Sequence, residues 1–199
     1  MTSYAASFLQ TLALTAARID AEAVESMARS LRELRQAGGR IFVVGVGGGA
    51  ANAAHLVGDL RKIAGIEAYS PWDGVAEMTA WANDESWDNS IKRWLQSSRL
   101  SPRDAIVVFS VSGGDLVEGT SPAIRVAVTY AAQVGARILG VVGTDKGAAA
   151  SLGPEVIVIP SEDDTRVAMT ESFQCVLTHL LVFHPLLQLP QPERAELWP

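Results

Sequence analysis

The sequence has a single cysteine and fewer basic than acidic residues, and each shortage excludes a class of protein. Cys175 is the only cysteine among 199 residues, so no internal disulfide is possible. Because it lies in an apolar stretch, we expect a buried, unreactive thiol. The formal net charge is −6, whereas binding to a nucleic-acid backbone relies on clustered Lys and Arg. We therefore expect no nucleic-acid partner.

Long apolar runs are also missing. None reaches the roughly 18 residues that a membrane-spanning helix needs, and residues 1–25 lack the basic start and apolar centre of a signal peptide. We therefore expect a cytoplasmic protein without a membrane partner. No linker or low-complexity segment interrupts the chain, which predicts a single domain over residues 1–199.

Apolar positions recur at helical spacing between residues 8 and 34, and Gly38 and Gly39 end the pattern. The spacing predicts a long N-terminal helix that is interrupted near Asp20. No strand precedes this helix, so its apolar stripe must pack on the rest of the domain or on another subunit. This indicates an oligomer, with residues 1–38 in the subunit interface.

After residue 40, apolar runs alternate with helical segments. The predicted strands cover residues 41–46, 66–69, 105–111, 137–143 and 155–160, and the predicted helices cover residues 50–63, 121–134 and 170–187, with a further helix around Ile91, Trp94 and Leu95. The strand runs are apolar without alternation, as in a parallel sheet covered on both faces. The expected fold is therefore α/β, a doubly wound parallel sheet flanked by helices, with ligands beyond the carboxyl ends of the strands.

Two glycine-containing loops follow predicted strands. Gly47 and Gly48 follow the first strand, and residues 110–115, which we call the serine loop, contain Ser110 and Ser112. Glycines let backbone amides approach an anion, and serine hydroxyls add further donors. Two such loops on one sheet predict a phosphate site, although loops of this kind also serve as ordinary turns.

Two pairs of polar residues share helix faces. His55 and Asp59 lie four residues apart, and Glu171 and His179 lie eight apart. Two imidazoles and two carboxylates suit Zn²⁺ or a similar divalent ion if the two helices meet. Otherwise each histidine is an ordinary core or surface residue, which is the interpretation we favour for His184.

In order and spacing these segments resemble the sugar isomerase (SIS) domain family, and within it the phosphoheptose isomerases, from residue 3 to residue 187. The matching positions are residues 45–49, His55 with Asp59, the dipeptide Asn83 and Asp84, the serine loop, and Glu171 with His179. Taken alone, residues 83–88 are typical of a helix N-cap with an acidic first turn.

The resemblance implies a homotetramer with active sites between subunits. It implies that Zn²⁺ is held by His55, Asp59, Glu171 and His179, and that a sugar phosphate is bound by the matched glycines, Asn83, Asp84 and the serine loop. The implied reaction interconverts sedoheptulose 7-phosphate and a heptose 7-phosphate through a metal-stabilised enediol. Such a reaction needs a base, here Asp59 or Glu171, and an acid, here His179.

The chain departs from the family pattern at several positions. Gly49 and Asp115 stand where the family has serine, Val111 replaces threonine, Asp59 replaces Glu and Glu171 replaces Gln. Residues 115–120 resemble an insertion, after which Thr120 or Ser121 supplies the missing hydroxyl, with Pro122 at the first helical position. Two other functions fit the same fold, namely a non-catalytic sugar-phosphate sensor or adaptor and an isomerase of a five- or six-carbon sugar phosphate.

Overall fold

The computed structural model describes residues 2–116 and 119–189. Its strands form one parallel sheet in the order β2-β1-β3-β4-β5. The strands are β1 (Ile41–Gly45), β2 (Ala68–Tyr69), β3 (Ala105–Ser110), β4 (Arg137–Val142) and β5 (Glu155–Val158). The strand order reverses between β1 and β3, and in sheets of this kind the ligand crevice lies at the carboxyl ends of those two strands.

Helices cover both faces of the sheet. They are α1 (Tyr4–Arg18), α2 (Ala21–Gln36), α3 (Gly48–Lys62), α4 (Val75–Asp84), α5 (Trp87–Ser97), α6 (Pro122–Val134), α7 (Ala148–Leu152) and α8 (Arg166–Val182), with a 3-10 turn at Pro71–Asp73. Side chains of β1 alternate between two cores: Ile41 and Val43 face α2, α3 and α8, and Phe42 and Val44 face α5 and α6. The doubly wound α/β prediction is confirmed.

The N-terminal apolar stripe divides between two helices at Asp20, whose side chain accepts hydrogen bonds from the backbone N–H groups of Glu22 and Ala23 and caps α2. The apolar stripe of helix α2 packs against the core of its own chain, where Met27 and Leu31 are fully buried. Burying each such side chain stabilises the fold by about 1.5–3 kcal/mol. Helix α1 packs on the same core only in part, through Phe8 and Leu12, and is otherwise largely exposed, so this half of the stripe keeps some surface for another subunit.

Some predicted boundaries were wrong, and two helices were not predicted. Helix α8 begins at Arg166 and ends at Val182, where the sequence suggested residues 170–187. Helix α4 buries only Met78, and α7 has five residues, so neither shows a clear apolar period. Val117 and Glu118, inside the proposed insertion, lie outside the described residues. Among the described residues, none of the helices is long and apolar enough to cross a membrane.

An ion pair at the amino edge of the sheet joins the start of β1 to the start of β3. The buried carboxylate of Asp104 accepts hydrogen bonds from the backbone and guanidinium of Arg40 and from Ser101. Burial by itself would raise the pKa of Asp104, but these hydrogen bonds outweigh it and hold the pKa below its usual value. The pair fixes the register of the two strands whose opposite ends carry the candidate site.

Candidate active site

Three of the four predicted metal ligands come together where α3 packs against α8. The Nε2 atoms of His55 and His179 are 3.3 Å apart, and Asp59 Oδ2 lies 3.2 Å from His55 Nε2 and 3.9 Å from His179 Nε2. Tetrahedral bonds of about 2.0–2.1 Å to N and O would place ligand atoms about 3.3–3.4 Å apart. The donor atoms and their spacing therefore fit Zn²⁺ or a similar divalent ion.

Glu171, the fourth predicted ligand, does not belong to this group. Its carboxylate lies against Gly48 at the first turn of α3, where a Cβ on Gly48 would come within 2.3 Å of a carboxylate oxygen. Glu171 and His179 share a helix face, but eight residues separate them by about 12 Å along the axis. The carboxylate is instead stabilised by the N-terminal dipole of α3. Glu171 and His179 share a helix face, as the sequence predicted. Of the two, only His179 joins the triad of His55, Asp59 and His179.

A buried amide network, not predicted from the sequence, sets the position of α3 against α8. The Asn52 side chain donates to the Glu171 carbonyl at 2.9 Å and to Gln174 Oε1 at 3.0 Å. Gln174 is fully buried and donates to the Val141 carbonyl of β4 at 3.2 Å. The network holds His55, one turn beyond Asn52, opposite α8. The only available sequence signal was the spacing of Asn52 and His55.

Cys175 lies beside the triad, one turn before His179 on α8. Its Sγ is 4.0 Å from His55 Nδ1, the ring nitrogen that does not face the triad. The thiol is partly exposed, so the prediction of a buried cysteine was wrong. Helical spacing from His179 was the signal that could have placed it here.

The two serines of the serine loop have different surroundings: Ser110 bonds within the loop, and Ser112 lines a cavity. Ser110 Oγ accepts a hydrogen bond from the Gly113 N–H at 3.1 Å and so holds the loop together. Ser112 Oγ has no hydrogen-bond partner among the described residues, and Ser112 lines a cavity of about 180 Å³. Val111, Asp115 and Thr120 also line this cavity, and the remaining lining residues are Thr144, Lys146 and Arg166. Of the two predicted serines, Ser112 is therefore the one whose residue lines the cavity and whose buried hydroxyl is not engaged within the described chain.

The other predicted substrate residues lie outside this cavity. Ser121 precedes Pro122 at the start of α6, and the predicted first-position proline is confirmed. Asn83 and Asp84 are exposed at the end of α4, hydrogen-bonded to each other at 2.9 Å. They belong neither to the cavity lining nor to the triad within the part of the chain that the structure describes. The expected helix N-cap with an acidic first turn in residues 83–88 is confirmed, since Ser86 caps α5 and Asp88 lies in its first turn.

Two tryptophans bring the start of α5 to the carboxyl end of β1. Trp72 donates from its indole nitrogen to the Gly45 carbonyl at 2.7 Å, and Trp87 stacks on it with ring centroids 5.9 Å apart. Asp84 and Asn83 lie three and four residues before Trp87 in the chain. His184, by contrast, pairs with Glu25 at 3.2 Å and takes no part in the triad, as expected.

Fold and site together define a doubly wound α/β protein with a metal-type triad and a polar cavity at the carboxyl edge of its sheet. The model of the SIS domain family matches residues 3–143, and the chain belongs to this family. It is 27% identical over 197 residues to the phosphoheptose isomerase of Trichlorobacter lovleyi, covering 95% of this chain and 93% of that protein.

Solved structures agree on the fold. A phosphoheptose isomerase from Francisella tularensis superposes with a TM-score of 0.76 at 22% identity, covering 92% of this chain and 97% of that one. The sugar isomerase domain of an RpiR transcription factor from Sphaerobacter thermophilus superposes with a TM-score of 0.63 at 19% identity, covering 94% and 89%. The same fold therefore occurs in an enzyme and in a transcription factor.

Proposed function

We propose that this protein is an isomerase that interconverts sedoheptulose 7-phosphate and a heptose 7-phosphate. The observation that carries the proposal is the convergence of His55, Asp59 and His179 on a chain that aligns with a phosphoheptose isomerase over nearly its whole length. Helix α8 contributes to both parts of the site, which lie about 20 Å apart along its axis, so in this proposal one substrate meets both only where two subunits join. Arg166 at its start lines the polar cavity, and His179 near its end belongs to the triad.

The reaction moves a proton between C1 and C2 of the sugar, so the site must supply a base and a group that stabilises negative charge. His55, Asp59 and His179 would hold a divalent ion, which when bound supplies positive charge next to the oxygen that becomes negative. Glu171 stands outside this group, so its carboxylate is not committed to the ion, and it acts as the base only if its side chain turns from Gly48 toward the triad to reach the same carbons. Asp59, at 3.2 Å from His55, would be committed to the ion.

The role of His179 as acid depends on which of its nitrogens is available. Its Nε2 faces the triad, and a lone pair that binds a metal is not available to carry a proton. His179 therefore acts as an acid only from Nδ1, or in a site without metal. We assign its main role to holding the ion.

The exposed apolar surface supports the homotetramer that we include in the proposal. Helix α1 exposes Tyr4 and Leu9, and α8 with the residue that follows it exposes Val176, Leu180 and Phe183 around His179. The side chains of His55 and His179 are 40% and 52% exposed in the single chain, and a partner subunit packed on α8 would shield them from water. Light scattering at micromolar concentration should give the mass of four chains, and a monomer would contradict this part of the proposal.

A cytoplasmic location is part of the same proposal. Cys175 is an unpaired and partly exposed thiol beside the triad, and such a thiol is kept reduced in the cytosol. Oxidation next to His55 would obstruct the site. A fractionation experiment with an antibody against the protein would locate it directly.

The decisive experiment is an NMR assay in deuterium oxide with ketose phosphates of five, six and seven carbons. The proposal predicts deuterium incorporation at C1 or C2 and aldose formation with the seven-carbon substrate. If only a five- or six-carbon ketose phosphate exchanges, the proposed substrate is wrong but the proposed isomerase reaction is retained. Tight binding of a sugar phosphate without any exchange would favour a sensor or adaptor, for which the transcription-factor domain of the same fold is the precedent.

A further inference from the structure

The cavity beside the serine loop contains two cationic side chains that the loop sequence did not predict. Lys146 follows β4 in the chain, and Arg166 is the first residue of α8. The sequence suggested that hydroxyls and backbone amides alone would bind phosphate there. Val111 and Asp115, however, replace two of the hydroxyls of the family pattern, so the loop by itself has fewer donors.

Three buried polar atoms near this cavity lack partners among the described residues: Ser112 Oγ, Thr170 Oγ1 and Arg166 Nε. Thr170 is fully buried. Thr170 and Arg166 converge on Gly143, because a Cβ there would lie 2.4 Å from Thr170 Oγ1 and 2.9 Å from Arg166 Cγ. Native proteins leave few buried polar atoms unsatisfied, so an ordered water or a bound ion is the usual partner of such atoms.

The position of Arg166 in the first turn of α8 also favours an anion beside it. A cation in the first turn of a helix is opposed by the positive end of the helix dipole. Arg166 forms an ion pair with Asp163, whose side chain is 90% exposed, and such surface pairs contribute little. An anion in the cavity would be attracted by Arg166, by Lys146 and by the N-terminus of α8 together.

We propose that Arg166 and Lys146 make this cavity selective for a phosphoryl dianion, with Arg166 as the main donor and Lys146 as a solvent-exposed attracting charge. The two positive charges of Arg166 and Lys146 balance the two negative charges of the dianion. The inference rests on the proposed function, since it concerns the phosphate end of the same substrate. It assigns recognition of phosphate to the segment after β4 and to α8 as well as to the serine loop.

The test measures binding of inorganic phosphate by calorimetry, and then KM and kcat for the sugar phosphate. Arg166→Gln should weaken phosphate binding about tenfold to hundredfold, as expected when a charged hydrogen-bond donor is lost. Lys146→Gln should weaken it about twofold to fivefold, with a smaller effect at high salt. Both substitutions should raise KM and leave kcat nearly unchanged. Arg166→Lys should restore part of the affinity, because it keeps the charge and loses the planar fork.

Arg103→Gln is the matched control, since Arg103 is exposed just before β3 at the opposite edge of the sheet and should leave phosphate binding unchanged. Thermal unfolding checks that each variant is folded. The inference is overturned if the wild-type protein does not bind phosphate, or if folded Arg166→Gln and Lys146→Gln both bind it as tightly as wild type. Phosphate binding that depends on Arg166, in a protein that isomerises no sugar phosphate, would refute the proposed reaction and leave this inference standing.

Discussion

The Nε2 atoms of His55 and His179 lie 3.3 Å apart, although 124 positions separate the two residues in the chain. Two imidazole nitrogens at this distance share one hydrogen bond or one metal ion. The carboxylate of Asp59, 3.2 Å from His55 Nε2, adds a third donor atom and favours the ion. The first prediction tests this arrangement.

Replacing His55 or His179 by Ala should lower Zn²⁺ affinity by more than about a hundredfold, because loss of a direct ligand costs at least as much as loss of a residue that only supports one. Metal analysis of the purified variants and titration against a competing chelator would measure the change. His184→Ala is the control, since His184 pairs with Glu25 away from the triad. Equal metal loss in His184→Ala would show that the effect is not local.

Substitutions of the two carboxylates, Glu171 and Asp59, should have different effects on catalysis and on metal content. Glu171→Gln should lower kcat by about 10²–10⁴ and leave the metal content unchanged, as expected when a general base is removed without a ligand. Asp59→Asn should lower the metal content as well, because Asp59 belongs to the triad. Steady-state kinetics combined with metal analysis separates the two roles. If Glu171→Gln keeps the wild-type kcat, the base is not Glu171.

The two serines of the loop should also differ. Ser112→Ala should raise KM for the sugar phosphate about tenfold to hundredfold, because the Ser112 hydroxyl has no partner in the described chain and can turn into the cavity that the residue lines. Ser110→Ala removes the acceptor of the Gly113 N–H and should lower the free energy of unfolding by about 0.5–1.5 kcal/mol. Kinetics and urea unfolding of both variants test this division. An unchanged KM in Ser112→Ala would show that this hydroxyl does not bind the phosphate.

Asp104 should make stability depend on pH in the acid range. Its pKa in the folded protein is below the unfolded value, so its stabilising effect is complete above the ordinary Asp pKa of about 3.9 and is lost as the pH falls through the folded pKa. Asp104→Asn should therefore cost about 1.5–3 kcal/mol at pH 7 and less at pH 3. Urea unfolding at both pH values measures the difference. A cost that is equal at pH 7 and pH 3 would contradict the assigned charge interaction with Arg40.

Much of the fold followed from local patterns. The unbroken apolar strands predicted a covered parallel sheet, and the glycines after β1 marked the start of α3. Helix α4 was not predicted from the sequence, because most of its side chains are not buried and its sequence has no strong apolar period. Within the site, spacing correctly grouped His55 with Asp59, since residues four apart on a helix always share a face.

The sequence by itself determined which residues share a helix face and which loops end a strand, because both follow from the geometry of a helical turn and of a parallel sheet. Only the tertiary structure decided that His179 meets His55 while Glu171 lies against Gly48, because that depends on where α8 crosses α3. The crossing is fixed by the buried contacts of Asn52 and Gln174. It was likewise the packing of α8 beside the segment after β4 that brought Arg166 and Lys146 to one cavity. Contacts between residues far apart in the chain depend on the packing of whole elements, which no local pattern encodes.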